Sequence, residues 1–418
     1  MAKQYNPRHF FRNVSNELLA VYFLSKQTLT GFDFQGLPEA KIDQLYAEWS
    51  NLPNAKRQDM ESDFREIHSM AHEGAAKAFI DEAKYHKEDI SGDLSQLQNH
   101  HDRAFWVFLN RPNYWQGATR FLHVDMIAAS FWIRRTDIPQ KKPKLTGSRI
   151  ARLEQAVGQF FYEQQGRGRN CHIEHYRRND LLYLFAYPED YTQASVEWVE
   201  QQFERPSRTP AFEIIFAYSQ NDGTLDIMLR RDRKVVEQLQ NLFVEIILNS
   251  SLTQPVKVDK VYELNKLKKR NFTFVFPPTS SIADVRVRRL RFSNKFGGGE
   301  RIILEAQPDD NRDAIFRLMD KTFHSGNRIA DYQITQVSLK VTFKEMLQSR
   351  RLRHKTVDIS YPDICSLKHE GADLEIRQML LDSGLEVRRD PQKDGDMLAG
   401  VPEKSEQEIS PSSKKKVV

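Results

Sequence analysis

Residues 212–248 have the sequence FEIIFAYSQNDGTLDIMLRRDRKVVEQLQNLFVEIIL, and this stretch indicates the fold class. Two runs rich in apolar, β-branched and aromatic residues, 212–218 and 224–229, enclose QNDG, whose Asp222-Gly223 pair is typical of a tight hairpin turn. The residues that follow carry apolar side chains at helical intervals. The stretch therefore predicts a β-hairpin followed by a helix, which we call a ββα unit.

Three further segments show the same pattern of two strands followed by a helix, although the pattern is less regular in the last one. The predicted hairpins cover 170–187, 285–306 and 334–361, and the predicted helices follow at 195–203, after the capping residues 309–311, and at about 373–381. Units of this kind lay antiparallel hairpins side by side and cover one sheet face with helices. Residues 148–385 are therefore expected to form an antiparallel-sheet domain that begins with a helix near 148–165 and continues with repeated ββα units.

The remainder of the chain predicts an all-helical domain and two connecting or terminal segments. Residues 1–138 show apolar spacings of three and four, with helices expected near 56–85 and 102–109. The sequence PQKKPKLTG at 139–147 predicts a linker with few contacts, because it holds two prolines and three lysines. Residues 386–418 are polar and predict a disordered tail. The expected fold class is α+β.

The third hairpin contains the arginine-rich sequence VRVRRLRF at 285–292. Val285 and Val287 share one parity, while Leu290 and Phe292 share the other, so a regular strand cannot bury all four on one face. A bulge near Arg288 or Arg289 restores a common buried face. We therefore predict such a bulge, with Arg286 and Arg291 on the exposed face.

Positive charge is concentrated around this strand. Residues 257–301 hold twelve Lys and Arg against four acids, a local charge of +8 in a chain whose net charge is +5. Guanidinium groups spaced along a strand suit contacts with phosphates, although charged edge strands also block unwanted sheet pairing. The predicted nucleic-acid-binding residues are Lys266, Lys268, Lys269, Arg270, Arg286, Arg288, Arg289, Arg291, Arg301, Arg350, Arg351 and Arg353.

These features favour a nucleic-acid-binding protein, without distinguishing DNA from RNA, and favour a non-catalytic one. The sequence lacks a phosphate-binding GxxxxGK[ST] loop, a GxGxxG turn and a GxSxG elbow, and no cofactor or metal site is expected. The alternative is a non-catalytic subunit of a larger assembly, whose helical domain docks a protein partner and whose arginine strand meets an acidic protein surface.

Length and composition set the expected compartment. The chain has 418 residues, 39% of them hydrophobic, which suffices for substantial cores, and it has no apolar run long enough for a membrane span. Only two cysteines are present, and no signal peptide is recognisable. We expect a soluble cytoplasmic protein without a membrane partner.

One enzymatic hypothesis comes from the sequence REIHSMAH. Arg65 and His72 have the arginine-to-histidine spacing of HEPN ribonucleases, and the segment resembles that family in these two residues. The resemblance implies metal-independent RNA cleavage within a helical domain, and it is the weaker alternative to the two hypotheses above. His68 and His72, four residues apart on the predicted helix, could also face one metal ion, but solvated or capping histidines explain them more simply.

Overall fold

The structure is a computed structural model of the 418-residue chain. It describes every residue except 1–3, 39–41, 179, 200–201, 231–234, 253–260, 298, 308–312, 345–353, 369–370 and 388–418. The described residues combine α-helices with antiparallel sheets, so the predicted mixed α+β class is confirmed.

The first part of the chain is helical and packs around aromatic side chains that include Phe10, Phe23, Phe64 and Phe105. Its helices are α1 Pro7–Arg12, α2 Asn16–Ser25, α3 Asp43–Ser50, α4 Asn54–Ser69, α5 Glu73–Tyr85, α6 Ser91–Gln96, α7 His100–Asn110 and α8 Pro112–Met126. The helix predicted near 102–109 is α7. The single helix predicted over 56–85 is wrong, because α4 ends at Ser69 and α5 begins after the turn that follows it.

The first sheet has the strand order β1-β9-β8-β3-β2. Its strands are β1 Trp132–Arg135, β2 Cys171–Arg178, β3 Leu181–Pro188, β8 Ile214–Ser219 and β9 Thr224–Leu229, and its helices are α9 Gly147–Gln165 and α10 Val236–Ile246. Phe121 and Val124 of α8 cover one face, while α9 and α10 cover the other. All residues of β8 and β9 are therefore buried, which explains their nearly continuous apolar sequences.

The predicted linker packs against this sheet. The Tyr218 hydroxyl donates to the Pro139 carbonyl at 2.7 Å, and the Lys144 amide donates to the Ile247 carbonyl at 3.0 Å. The expectation that 139–147 makes few contacts is wrong, since Pro143 is also buried. Strand β1 lies within 1–138 and pairs with β9, so this part of the chain is not purely helical. The division into domains stays a prediction.

The helix predicted over 195–203 is also wrong. This segment forms strands β5 Glu197–Val199 and β6 Gln202–Glu204, which pair with each other. Nearer to the first sheet, strands β4 Gln193–Ala194 and β7 Ser207–Arg208 pair with each other, and residues 189 and 211 form a further bridge. The result is a long hairpin between β3 and β8, which we call the arm (residues 189–211).

The second sheet has the order β11-β10-β12-β13-β14. Its strands are β10 Ile282–Asn294, β11 Arg301–Glu305, β12 Tyr332–Phe343, β13 His354–Ser360 and β14 Ile364–Cys365, and its helices are α11 Ala314–Thr322 and α12 Ala372–Asp382. Side chains from α11, α12 and the 3₁₀ helix Leu264–Lys268 share one core with the sheet. The described strands outside the arm therefore divide between two five-stranded sheets, with a helix after the hairpins β8–β9, β10–β11 and β12–β13.

The segment after α12 begins as ordered structure. Glu386 is buried and bridges to Tyr262, so the disordered tail predicted from 386 does not begin there. The rest of that prediction, 388–418, lies outside the described residues. Among the helices that the structure describes, none combines the length and apolar character that crossing a bilayer requires.

Candidate nucleic-acid interface

Strand β10 contains the predicted bulge. Val287 pairs with Leu339 and Arg289 pairs with the adjacent Ser338, so Arg288 has no partner of its own in β12. Val285, Leu290 and Phe292 are buried and Val287 is partly buried in the same core. Arg286 and Arg291 lie on the opposite side, each partly exposed. The bulge prediction is confirmed.

The side of the second sheet that faces away from its core carries polar side chains in registered rows, and we call it the open face. One row is Glu305, Arg289, Ser338 and Asp358, and the next is Ile303, Arg291, Gln336 and Ser360. Neighbouring positions add Arg301, Ser293, Arg286, Lys340, Asp284, Thr342 and Thr356. The core-forming helices of this sheet, α11 and α12, lie on the other side.

Carboxylates hold several of the arginines in place. Arg286 Nε lies 2.5 Å from Asp284 Oδ2, and Arg288 Nε lies 3.4 Å from Glu305 Oε1. Arg289 Nη2 lies 3.5 Å from Asp358 Oδ1. Six basic side chains, counting Arg288 and Lys340, stand against these three carboxylates among the described residues, so the face keeps a net charge of +3.

Two apolar side chains are exposed on the hairpin that carries most of these charges. Ile303 is 60% exposed and pairs across the sheet with Arg291. Phe296, in the turn that joins β10 to β11, is 81% exposed. Exposed aromatic rings close to arginines are the groups on which nucleic-acid bases stack.

Four of the other predicted basic residues, Lys266, Lys268, Lys269 and Arg270, lie away from this face. Leu264 and Leu267 pack into the core of the second sheet, which places the 3₁₀ helix that carries Lys266 and Lys268 on its covered side. Lys268 Nζ donates to the Ile329 carbonyl at 3.3 Å, and burial lowers its pKa. Lys269 and Arg270 follow directly, and Arg270 pairs with Asp320 at 2.5 Å. Arg350, Arg351 and Arg353 lie outside the described residues.

Arg65 and His72 do not form the helical pair that the HEPN resemblance implies. Arg65 bonds Glu61 in α4 at 2.9 Å, and its guanidinium lies over the ring of Tyr5. His72 lies beyond the end of α4 and caps α5, accepting a hydrogen bond from the Ala75 amide at 3.2 Å. The sequence interpretation placed both residues in one helix, whereas His72 has a structural role at the start of the next.

A different set of histidines comes together between α1, α4 and α7. His68 Nδ1 lies 3.0 Å from His101 Nε2, and the ring of His9 lies about 6.2 Å from that of His101. Burial, followed by the neighbouring histidines, lowers the pKa of His101 to about 4, which keeps its ring neutral at pH 7. In the described part of the chain, no three His, Cys, Asp or Glu side chains are arranged to hold a metal ion.

Sequence reasoning missed a cleft at the junction of the helical part and the two sheets. Its empty volume is about 780 Å³, mouth included, and its lining includes Phe121, Arg134, Arg178, Lys368 and Arg377. Arg134 Nη1 donates to Asp226 Oδ2 at 2.8 Å, and its Nη2 lies 3.4 Å from Glu386 Oε1. Burial opposes this charge, but the two carboxylates raise the pKa of Arg134 above its ordinary value.

The charges around the cleft balance. Lys368, in the segment that follows β14, pairs with Asp125 of α8 at 3.0 Å, as Arg134 pairs with its own carboxylates. Arg134 and Arg135 are both buried in ion pairs and therefore do not contribute to an exposed basic surface. When the Arg134 partner Glu386 is counted, the cations and carboxylates at the cleft are equal in number: Arg134, Arg178, Lys368 and Arg377 against Asp125, Asp226, Asp363 and Glu386. The cleft therefore offers no excess positive charge for an anion.

Comparison of the sequence with models of known protein families and with curated proteins finds no match.

Proposed function

We propose that this protein is a non-catalytic nucleic-acid-binding protein that uses the open face. The observation that carries the proposal is the bulge at Arg288, because it allows Arg286, Arg289 and Arg291 to lie on one side of β10. Alternate strand residues are about 6 to 7 Å apart, which is comparable to the spacing of phosphates along one strand. Such binding uses cationic groups that contact phosphates and aromatic rings on which bases stack. The arginines of the face and the exposed Phe296 supply both.

The proposal is tested by the salt dependence of binding. In the variant Arg289→Gln/Arg291→Gln/Arg301→Gln, three cations of the open face are neutralised. Each lost phosphate contact reduces the slope of log affinity against log salt by about 0.7 for single strands or 0.9 for duplex DNA, so the slope should fall by roughly two to three units. Fluorescence anisotropy with labelled single-stranded and duplex oligonucleotides measures it.

The matched control is Lys266→Gln/Lys269→Gln/Arg270→Gln, which removes three exposed cations from the covered side of the same sheet. This control should change the slope much less. Equal effects from both variants would mean that attraction is diffuse and that the open face is no site. If the unmodified protein shows no salt-dependent binding, the proposal fails and the assembly-subunit hypothesis takes its place.

A further inference from the structure

The arm exposes aromatic side chains that globular proteins normally bury. Trp198 is 71% exposed and Phe203 is 52% exposed, and their rings form a cross-strand pair with centroids 5.6 Å apart. Val196 and Tyr191 are exposed on the same hairpin. Exposed apolar side chains of this kind mark an interaction surface, since each aromatic ring buries roughly 150–250 Å² when it is covered.

The charge of the arm restricts what can cover it. Residues 189–208 contain five acids and two arginines, a net charge of −3. The Arg205 guanidinium lies over the Phe203 ring, 5.7 Å from its centroid, and Arg208 lies in β7 at the base of the arm. There Arg208 pairs with Glu197 through a 2.9 Å hydrogen bond. Nucleic acid, an anionic membrane and a second arm would all be repelled at neutral pH. The surface that fits is basic and carries apolar groups.

The same chain displays a surface of that description. The open face has a net charge of +3, and Ile303 and Phe296 are exposed beside its arginines. Trp and Phe rings pack favourably under guanidinium groups through cation–π contacts. Arm and open face are complementary in both charge and apolar character.

We propose that the arm of one copy of this chain docks on the open face of a second copy. The contact is heterologous, because two different surfaces meet, so association continues into a ring or an open chain instead of stopping at a symmetric dimer. The docked arm covers the arginines proposed to bind nucleic acid. Self-association and nucleic acid therefore compete for one face, although the docking itself does not depend on nucleic-acid binding.

Sedimentation equilibrium of the full chain at low salt tests the docking. The monomer mass is 48.9 kDa, and the unmodified protein should show a concentration-dependent weight-average mass at least about twofold higher, which falls as salt is added. Trp198→Ser/Phe203→Ser should remain monomeric. The control Met126→Ser/Tyr162→Ser, which removes two exposed apolar side chains elsewhere, should associate like the unmodified protein.

A mixing experiment makes the test specific to two different surfaces. Arg291→Glu/Arg301→Glu should also fail to associate alone, because its open face repels the acidic arm. Mixed with Trp198→Ser/Phe203→Ser, it should form a one-to-one complex, since each variant keeps the surface that the other lacks. A monomeric unmodified protein, an arm variant that still associates, or a mixture that stays monomeric would each overturn the proposal.

Nucleic-acid binding by the arm variant separates this inference from the proposed function. Trp198→Ser/Phe203→Ser leaves the open face intact, so it should bind an oligonucleotide at least as tightly as the unmodified protein. Loss of self-association with binding retained supports both statements. Absent self-association with normal salt-dependent binding overturns the docking alone, whereas self-association without binding overturns the proposed function alone.

Discussion

At the scale of single residues, Arg134 makes the most consequential contacts. It lies in β1, its carboxylate partners are Asp226 in β9 and Glu386 beyond α12, and all three side chains are at most 5% exposed. A buried guanidinium is tolerated because both carboxylates compensate it. These ion pairs therefore connect the first sheet to the segment that follows α12, the last helix of the second sheet.

Replacement of Arg134 by Met should destabilise the protein strongly. The substitution removes the Arg134 guanidinium from the buried carboxylates of Asp226 and Glu386, and breaking a buried ion pair costs about 3–5 kcal/mol of unfolding free energy. Urea denaturation measures this difference. The control is Arg152→Met, which breaks the exposed Arg152–Glu245 pair and should cost less than about 1 kcal/mol. Similar losses in the two variants would show that the buried group contributes little.

The sequence predicts features that arise within one strand, but it does not predict contacts between residues that are far apart in the chain. The parity conflict between Val287 and Leu290 lies within one strand, and it sufficed to predict the bulge. Nothing local indicates that Arg134 meets Glu386, because their contact depends on how two sheets are placed. The position of His72 was predicted wrongly for a related reason. Whether a residue near a helix end faces the neighbouring helices or caps the next helix depends on where the helix stops.

At the scale of elements, the bulge in β10 keeps two alternating patterns in register. Without Arg288 the remaining sequence Val285-Arg286-Val287-Arg289-Leu290 alternates regularly, and Val287 and Arg289 already pair with adjacent residues of β12. The bulge thus adds one residue without changing which side chains are buried. The Arg288 carbonyl accepts a hydrogen bond from the Ala306 amide at 2.9 Å, and Nε of the exposed Arg288 side chain lies 3.4 Å from Glu305 Oε1.

Deletion of Arg288 should therefore be tolerated. The strand can pair regularly with the same buried face, and we expect the unfolding free energy to change by about 1 kcal/mol, the value of one hydrogen bond. Deletion of Arg286 should be far worse, because it turns Val285 towards the open face at a cost of about 1.5–3 kcal/mol for that side chain alone. Thermal denaturation of both variants decides the matter, and equal losses would contradict the assigned register.

The arm shows where sequence patterns fail at this scale. The segment 195–203 has apolar residues that suit an amphipathic helix, and the structure instead pairs Trp198 with Phe203 across two short strands. Helical periodicity presupposes a core for the apolar side to face. The arm lacks one among the described residues, so its apolar side chains remain exposed and the pattern predicted the wrong element.

At the scale of the molecule, the two sheets differ in what covers them. The first is enclosed by α8 on one side and by α9 and α10 on the other, whereas helices cover the second on the side of its core. In the described part of the chain, the arginine-bearing side of the second sheet lies opposite the helices of its core. How the strands divide between sheets was beyond sequence reasoning, because hairpin signals fix neighbours along the chain but not the order of hairpins.

The most direct test of the central claim is to locate bound nucleic acid on the protein. Oligonucleotides carrying 5-iodouracil are cross-linked to the unmodified full-length protein by ultraviolet light, and the attached peptides are identified by mass spectrometry. We predict attachment within β10, the turn with Phe296 and β11, because an exposed ring beside arginines is where a base stacks. Attachment confined to Lys266–Arg270, the helical part or residues 388–418 would contradict the assignment of the open face.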